Sequence, residues 1–209
     1  MFKSAQELTT HLVNTGVLKS RNIIEAFLKI DRRYFVTKDF ISLCYEDMPL
    51  PIGYCQTISQ PSTVAFMLEL LLPQKSDHIL DIGSGSGWTT ALLCEIVGEK
   101  GSVIGLERIE ELVKLGNENL SKFDFKSNCI IQKAGKNIGL KGKVFDKILI
   151  SASANSYIDA LTSQVKVGGK IVMPIKNSIF LFQKTSEESM KKSEFPGFIF
   201  VPLICEEER

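Results

Sequence analysis

Apolar positions change rhythm near residue 77. Before it they recur at helical spacing: Ala5 to Val13 reads as an amphipathic helix, Gly16 breaks it, and a second helix runs from about Ser20 to Ile30 with Ser20 as a plausible cap. Between Asp47 and Pro61 the prolines Pro49, Pro51 and Pro61 with Gly53 replace helix formers, which predicts an ordered loop or short extended segment. A helix from about Ser62 to Leu72 then leads to Pro73. From residue 77 onward strands and helices alternate over 78–82, 88–97, 102–106, 109–121, 128–132, 145–151, 156–165 and 169–174, the signature of a parallel sheet with crossover helices. The end differs. Ser178–Lys184 and Phe198–Pro202 are apolar, β-rich runs joined by the polar stretch Thr185–Glu194, which predicts an antiparallel hairpin at one end of the sheet.

The pattern predicts an α/β fold with a doubly wound, mostly parallel sheet, a helical N-terminal segment and a C-terminal antiparallel hairpin. Residues 1–76 form the lead and 77–209 the α/β unit, expected to make one compact body.

Composition narrows the partners. The 209 residues carry a net charge of +1 with 23% charged side chains, so no basic field is available for counterion-driven binding, and no nucleic-acid partner is expected. No leader-like N-terminus and no run near the ~20 apolar residues of a membrane span is present, which predicts a soluble, cytoplasmic protein without a membrane partner. The cysteines Cys44, Cys55, Cys94, Cys129 and Cys205 include no C-x-x-C pair, and the only histidines are His11 and His78. That inventory argues against a metal site or a disulfide framework, and Cys94 is expected to be a buried small hydrophobe. Without a coiled-coil or an apolar surface stripe, the chain is expected to be a monomer.

The densest chemistry lies in Asp81-Ile82-Gly83-Ser84-Gly85-Ser86-Gly87 and in Glu107, twenty residues past Gly87. Gly83 and Gly85 let a ligand approach the backbone, and Gly87 lets the following helix pack closely on the sheet. A dinucleotide fingerprint reads G-x-G-x-x-G and holds a pyrophosphate at a helix N-terminus. Here the spacing is G-x-G-x-G, and Asp81 would repel a pyrophosphate while suiting a cationic sulfonium ligand that carries an amino group. Glu107 can accept both ribose hydroxyls. Together they point to S-adenosyl-L-methionine. In open α/β sheets the ligand lies beyond the carboxyl ends of the strands, where 83–87, Glu107, the 133–137 loop and Ser151 to Asn155 converge.

The block Met48-Pro49-Leu50-Pro51-Ile52-Gly53-Tyr54-Cys55-Gln56-Thr57-Ile58-Ser59-Gln60-Pro61 resembles the signature loop of protein-L-isoaspartate (D-aspartate) O-methyltransferases. Asp31-Arg32-Arg33-Tyr34-Phe35-Val36, the 81–87 loop, Glu107-Arg108, Phe145-Asp146, Val167-Gly168-Gly169-Lys170, Met173-Pro174 and Phe200-Val201-Pro202-Leu203 are similar to that family in the family's order, over nearly the whole chain. The resemblance implies a sheet of the S-adenosylmethionine-dependent methyltransferase type and methylation of the free α-carboxylate of isoaspartyl residues in damaged proteins and peptides. It implies Ser59 in the active site, with its hydroxyl on the acceptor carboxylate. Thr57, Ile58, Asp81, Gly83, Ser84, Gly85, Gly87, Glu107, Arg108, Ala134 and Gly135 would hold the cofactor, and Gln56, Ser59, Val201 and Leu203 the substrate. Read without the family, Ser59 ahead of Gln60-Pro61 is equally a turn former.

Three places depart from the family, one of them Ser151-Ala152-Ser153-Ala154-Asn155, which replaces a run that is usually alanine-rich and ends in proline. Where it carries a G-D-G triplet whose acid accepts from the adenine amino group, this chain has Lys133-Ala134-Gly135. Ala134 cannot accept, so the cofactor is expected to bind up to about tenfold more weakly, with Asn137 as the nearest substitute. Cys55 stands where the family usually has glycine, either altering the loop's backbone angles or placing a thiol near the substrate mouth. These departures leave a second reading open, a degenerate fold that binds a nucleoside or a protein partner without catalysis, and a third, a methyltransferase with another acceptor.

Overall fold

A computed structural model describes residues 2–204 of the chain. The elements in order are α1 (Ala5–Asn14), α2 (Arg21–Lys29), β1 (Leu50–Gly53), β2 (Gln56–Ile58), α3 (Pro61–Leu71), β3 (His78–Ile82), α4 (Trp88–Val97), β4 (Ser102–Glu107), α5 (Glu110–Leu120), β5 (Asn128–Lys133), β6 (Phe145–Ile150), β7 (Val165–Ile175), β8 (Ser178–Ser186) and β9 (Ser189–Pro196). Short 3-10 helices cover Arg32–Phe35, Lys38–Leu43 and Asp159–Gln164.

The seven-stranded sheet has the order β5-β4-β3-β6-β7-β8-β9. Strands β5, β4, β3, β6 and β7 pair in parallel, and β7-β8 and β8-β9 are antiparallel. α-Helices cover one face of the sheet, and the turn Asp159–Gln164 with the loop residues Ile138 and Leu140 packs on the other, so β3 is buried at four of its five positions, as the continuous run Ile79-Leu80-Asp81-Ile82 foretells. Strand order reverses between β3 and β6, where the main chain of Ser151 donates to the Ile82 carbonyl at 2.9 Å. The carboxyl ends of β3, β4 and β6 therefore open one crevice.

A single apolar cluster runs from Leu12, Ile23 and Phe27 of the helical lead through Leu92, Leu93 and Val97 of α4 to Ile79 and Val103 of the sheet. Helix α4 is apolar nearly all round because it is wedged between the sheet and α2. Trimming Leu92 or Leu93 to alanine would cost about 2–5 kcal/mol.

Four sequence expectations are corrected. The helix over 156–165 is only a 3-10 turn, Asp159–Gln164, after which β7 begins at Val165, four residues before the expected strand start. Gln164 turns inward, where its Oε1 accepts from Leu140 N–H at 2.7 Å and its Nε2 donates to the Ile138 carbonyl at 3.2 Å, so its side chain secures a loop.

The C-terminal hairpin exists with different partners. Strand β8 pairs with Ser189–Pro196, which begins inside the stretch read as a connecting loop and runs two residues past it, and Phe198–Pro202 is not a sheet strand. An edge strand with solvent on one side can be polar, and Lys191 and Lys192 are suited to blunt a sheet edge. Gly197, at φ +99°, turns the chain out of the sheet.

Cys94 and Cys129 form a disulfide between α4 and β5, with a Cα–Cα distance of 6.0 Å. At a sequence separation of 35 residues and without a motif, nothing in the sequence pairs them. Cys205 lies outside the described residues. Ser20 caps by position only: it precedes α2, but its hydroxyl donates to Glu69 Oε2 at 2.7 Å.

Candidate active site

Strand β3 ends in the glycine loop, and the loop's shape follows from its three glycines, all at positive φ: +84° at Gly83, +54° at Gly85 and +93° at Gly87. A Cβ on Gly85 would come within 3.2 Å of Ile52 Cδ1 of β1, and one on Gly87 within 3.1 Å of Ile131 and 3.2 Å of the Gly116 carbonyl. Gly87 thus serves helix packing, and it lines neither cavity described below.

Glu107 ends β4 and is 6% exposed. Its Oε2 accepts from Gly85 N–H at 3.0 Å and its Oε1 from Ile109 N–H at 2.9 Å. The two main-chain donors fix the acid's orientation beside the loop and leave lone pairs for ligand hydroxyls.

Asp81 is fully buried under the loop and lines neither cavity. Thr90 Oγ1 donates to its Oδ2 at 2.6 Å, and Oδ1 has no partner. Burial pushes the carboxyl up to about 7, with the nearby charge of Glu107 adding to the rise and the Thr90 bond opposing it.

The segment read as a loop over 47–61 is the antiparallel hairpin of β1 and β2, with Leu50 opposite Ile58. Its turn carries Tyr54 and Cys55 at φ +54° and +56°. The left-handed angle a glycine would take is thus kept by cysteine. Cys55 is exposed and lines neither cavity.

Two adjacent cavities occupy the crevice. The larger, about 360 Å3, is lined by Gln56, Gly83, Glu107, Arg108, Ala134, Gly135, Asn137 and Leu203 among others. The smaller, about 50 Å3, is lined by Gln56, Thr57, Ile58, Ser59, the 83–86 loop, Trp88, Thr89, Glu107, Ser151, Ala152 and Val201. Gln56, Gly83, Glu107 and Ala152 border both. Of the residues expected to hold cofactor or substrate, all but Asp81 and Gly87 line this crevice, and Asn137 is on the wall beside Ala134. The segment 201–203 reaches it because Ser153 N–H donates to the Val201 carbonyl and Leu203 N–H to the Ser153 carbonyl, each at 2.8 Å.

Several supports carry no sequence motif. Buried Asn119 donates to the Ser86 carbonyl at 2.9 Å, tying the glycine loop to α5. Gly105 and Gly116 let the loop and α5 close on the sheet; a Cβ on Gly116 would meet Ile131 Cδ1 at 2.6 Å. A glycine inside a strand pattern is itself a signal of close approach, and Gly105 was legible on that ground.

The residues fit an S-adenosyl ligand: a glycine cradle open to the crevice, an oriented carboxylate for ribose, and room for a nucleoside. No helix among the described residues is long and apolar enough to cross a membrane.

A sequence profile described as protein-L-isoaspartate (D-aspartate) O-methyltransferase matches residues 3–208. A protein-L-isoaspartate O-methyltransferase of Ignicoccus hospitalis is 35% identical over 99% of this chain and 100% of its own. That of Flavobacterium psychrophilum is 40% identical over 95% of this chain and 92% of its own. Among solved structures, a protein-L-isoaspartate O-methyltransferase superposes with a TM-score of 0.85 at 26% identity, covering 97% of this chain and 66% of that one. A Plasmodium falciparum structure assigned to the same activity, in complex with S-adenosyl-L-homocysteine, gives 0.83 at 23% identity over 99% and 100% of the two chains and shares the fold.

Proposed function

This chain belongs to the protein-L-isoaspartate (D-aspartate) O-methyltransferase family, S-adenosylmethionine-dependent enzymes that methylate isoaspartyl carboxylates in damaged proteins, and we propose that its two adjacent cavities divide that reaction, the larger holding the donor and the smaller the acceptor. The observation that carries this division is the shared border: Gln56, Gly83, Glu107 and Ala152 line both cavities, so a donor in one faces an acceptor in the other.

Glu107 would take the ribose hydroxyls, and the main chain of Gly83, which borders both cavities, the amino-acid portion of the donor. Ala134, Gly135, Arg108 and Asn137 would surround the base, with Asn137 offering the polar group that Ala134 lacks. When bound, S-adenosylmethionine supplies a methyl group on a cationic sulfur; the acceptor oxygen takes the methyl and the electron pair of the broken S–C bond stays on sulfur.

The protein's share is alignment and exclusion of water. An α-carboxylate has a pKa of roughly 3.5 and is already an anion at neutral pH, so no side chain needs to remove a proton. Ser59, on the acceptor wall, would hold one carboxylate oxygen by its hydroxyl while the other meets the methyl. Thr57 and Ile58 of β2 cover the junction, and Gln56, Val201 and Leu203 would position the substrate's main chain. Asp81 acts from beneath: its unpartnered oxygen lies under the loop that receives the donor's ammonium group.

Isoaspartyl-containing proteins and peptides are the partners in this reading, and a monomer acting in the cytoplasm is its simplest form, since one chain lines the whole cleft. A labelled-methyl assay on matched peptides containing isoaspartate or aspartate tests it. Transfer to the first alone, as a base-labile ester, is expected; equal labelling, or none alongside tight cofactor binding, would overturn it.

A further inference from the structure

The smaller cavity poses an electrostatic problem for the acceptor just assigned to it. Its one charged lining residue is Glu107, a carboxylate, yet it is to receive another carboxylate. Like charges this close repel; the donor's sulfonium offsets them only while S-adenosylmethionine is bound, and a fixed cation nearby would do so at every stage.

Arg32 stands one residue behind that wall. It is 1% exposed, an unusual state for arginine, and is anchored by the 3-10 turn Arg32–Phe35, whose cap Asp31 accepts from Arg33 N–H at 2.9 Å. Its Nη1 donates to the Cys44 carbonyl at 2.8 Å and the Glu46 carbonyl at 3.4 Å, and its Nη2 to the carbonyls of Met48 at 3.0 Å and Ser59 at 3.1 Å. The guanidinium lies 5.3 Å from the ring centre of Trp88, which also lines the smaller cavity. All four hydrogen bonds thus go to main-chain carbonyls, and Nε has no partner. Asp47, the nearby acid, uses Oδ1 to accept from Ser62 N–H at 2.8 Å.

A buried guanidinium satisfied by carbonyls alone carries a desolvation cost that a fold-only role could avoid with an apolar side chain. Burial lowers its pKa to about 10, still well above neutrality, so the charge persists. Its fork joins the turn before β1 to Ser59, just past β2, beside Trp88 at the start of α4, and Ser59 and Trp88 both line the acceptor cavity.

We propose that Arg32 is the positioning residue of the acceptor side: its fork fixes Ser59 through the main-chain carbonyl, and its charge offsets Glu107 so that an anionic acceptor is bound. The inference rests on the assignment of the smaller cavity to an isoaspartyl carboxylate.

The test uses the full chain loaded with S-adenosylhomocysteine, which carries no sulfonium charge, and titrates it with an isoaspartyl peptide. In Arg32→Lys, which keeps the charge and loses the fork, and in Arg32→Met, which loses both, S-adenosylhomocysteine affinity is expected to stay within about threefold of the parent, while peptide Kd rises about tenfold in the first and about a hundredfold in the second. KM should rise with it, and emission from Trp88, the sole tryptophan, should shift in both variants. Unchanged peptide Kd in the folded variants would overturn the inference. So would joint loss of melting temperature, cofactor affinity and peptide affinity, or failure of both variants to fold, since these mark a purely structural arginine. The parent separates the two claims: if it does not prefer isoaspartyl to aspartyl peptide, the acceptor assignment has failed, whatever Arg32 does.

Discussion

Glu107 Oε2 accepts a hydrogen bond from the main-chain N–H of Gly85 at 3.0 Å, so the end of β4 holds the loop that ends β3. The acid expected to bind the cofactor ribose is therefore also the clamp that shapes the glycine cradle.

Glu107→Gln should weaken S-adenosylhomocysteine binding about ten- to hundredfold by calorimetry, because the amide loses one charged acceptor and turns a donor toward Gly85 or Ile109 N–H. Melting temperature should change little by comparison. Unaltered affinity would remove Glu107 from the cofactor site.

Ser59→Ala is expected to leave S-adenosylhomocysteine affinity within about twofold and to lower kcat about ten- to hundredfold, the cost of a lost orienting hydrogen bond at an otherwise intact wall. Turnover equal to the parent's would dismiss the serine as an orienting group.

Gly105→Ala should destabilise the chain by about 1–3 kcal/mol in urea unfolding. The added Cβ would meet Ser84 Oγ at 2.5 Å and Ile131 Cγ1 at 2.8 Å, forcing the glycine loop away from β4. A second consequence is weaker cofactor binding. A neutral stability effect would mean the loop yields at no cost.

The folded protein raises the Asp81 carboxyl from an ordinary value of 3.8 to about 7. Between those values the folded state holds a proton that the unfolded state has released, so stability from this group is full below pH 3.8 and is lost as pH climbs to 7. Asp81→Asn should flatten that decline and leave the ligand-free protein about 2–4 kcal/mol more stable than the parent at pH 8. Parallel stability-versus-pH curves for the two proteins would refute the raised value.

How much of this was legible in the sequence varies with how local the cause is. The glycine loop and Glu107 were readable because turn geometry and strand ends are set within a few residues. Strand β9 was missed because an edge strand can be polar, and Lys191-Lys192 reads equally as a solvated loop. The turn Asp159–Gln164 was taken for a helix because nothing local reveals that Gln164 folds inward to hold Leu140. Arg32 was visible only as one of two adjacent arginines. Which of them is buried depends on carbonyls from residues 44 to 59, supplied by tertiary structure. The Cys94–Cys129 bond escaped for the same reason, joining a helix and a strand that only the folded sheet brings together.

The most direct test of the central claim is a crystal structure of the chain with S-adenosylhomocysteine and an isoaspartyl peptide. The account predicts ribose hydroxyls on Glu107, the base beside Ala134 and Asn137, and the isoaspartyl α-carboxylate within hydrogen-bond distance of Ser59 Oγ. A peptide carboxylate bound elsewhere, or a nucleoside outside the cavity bordered by Gly83 and Glu107, would contradict it.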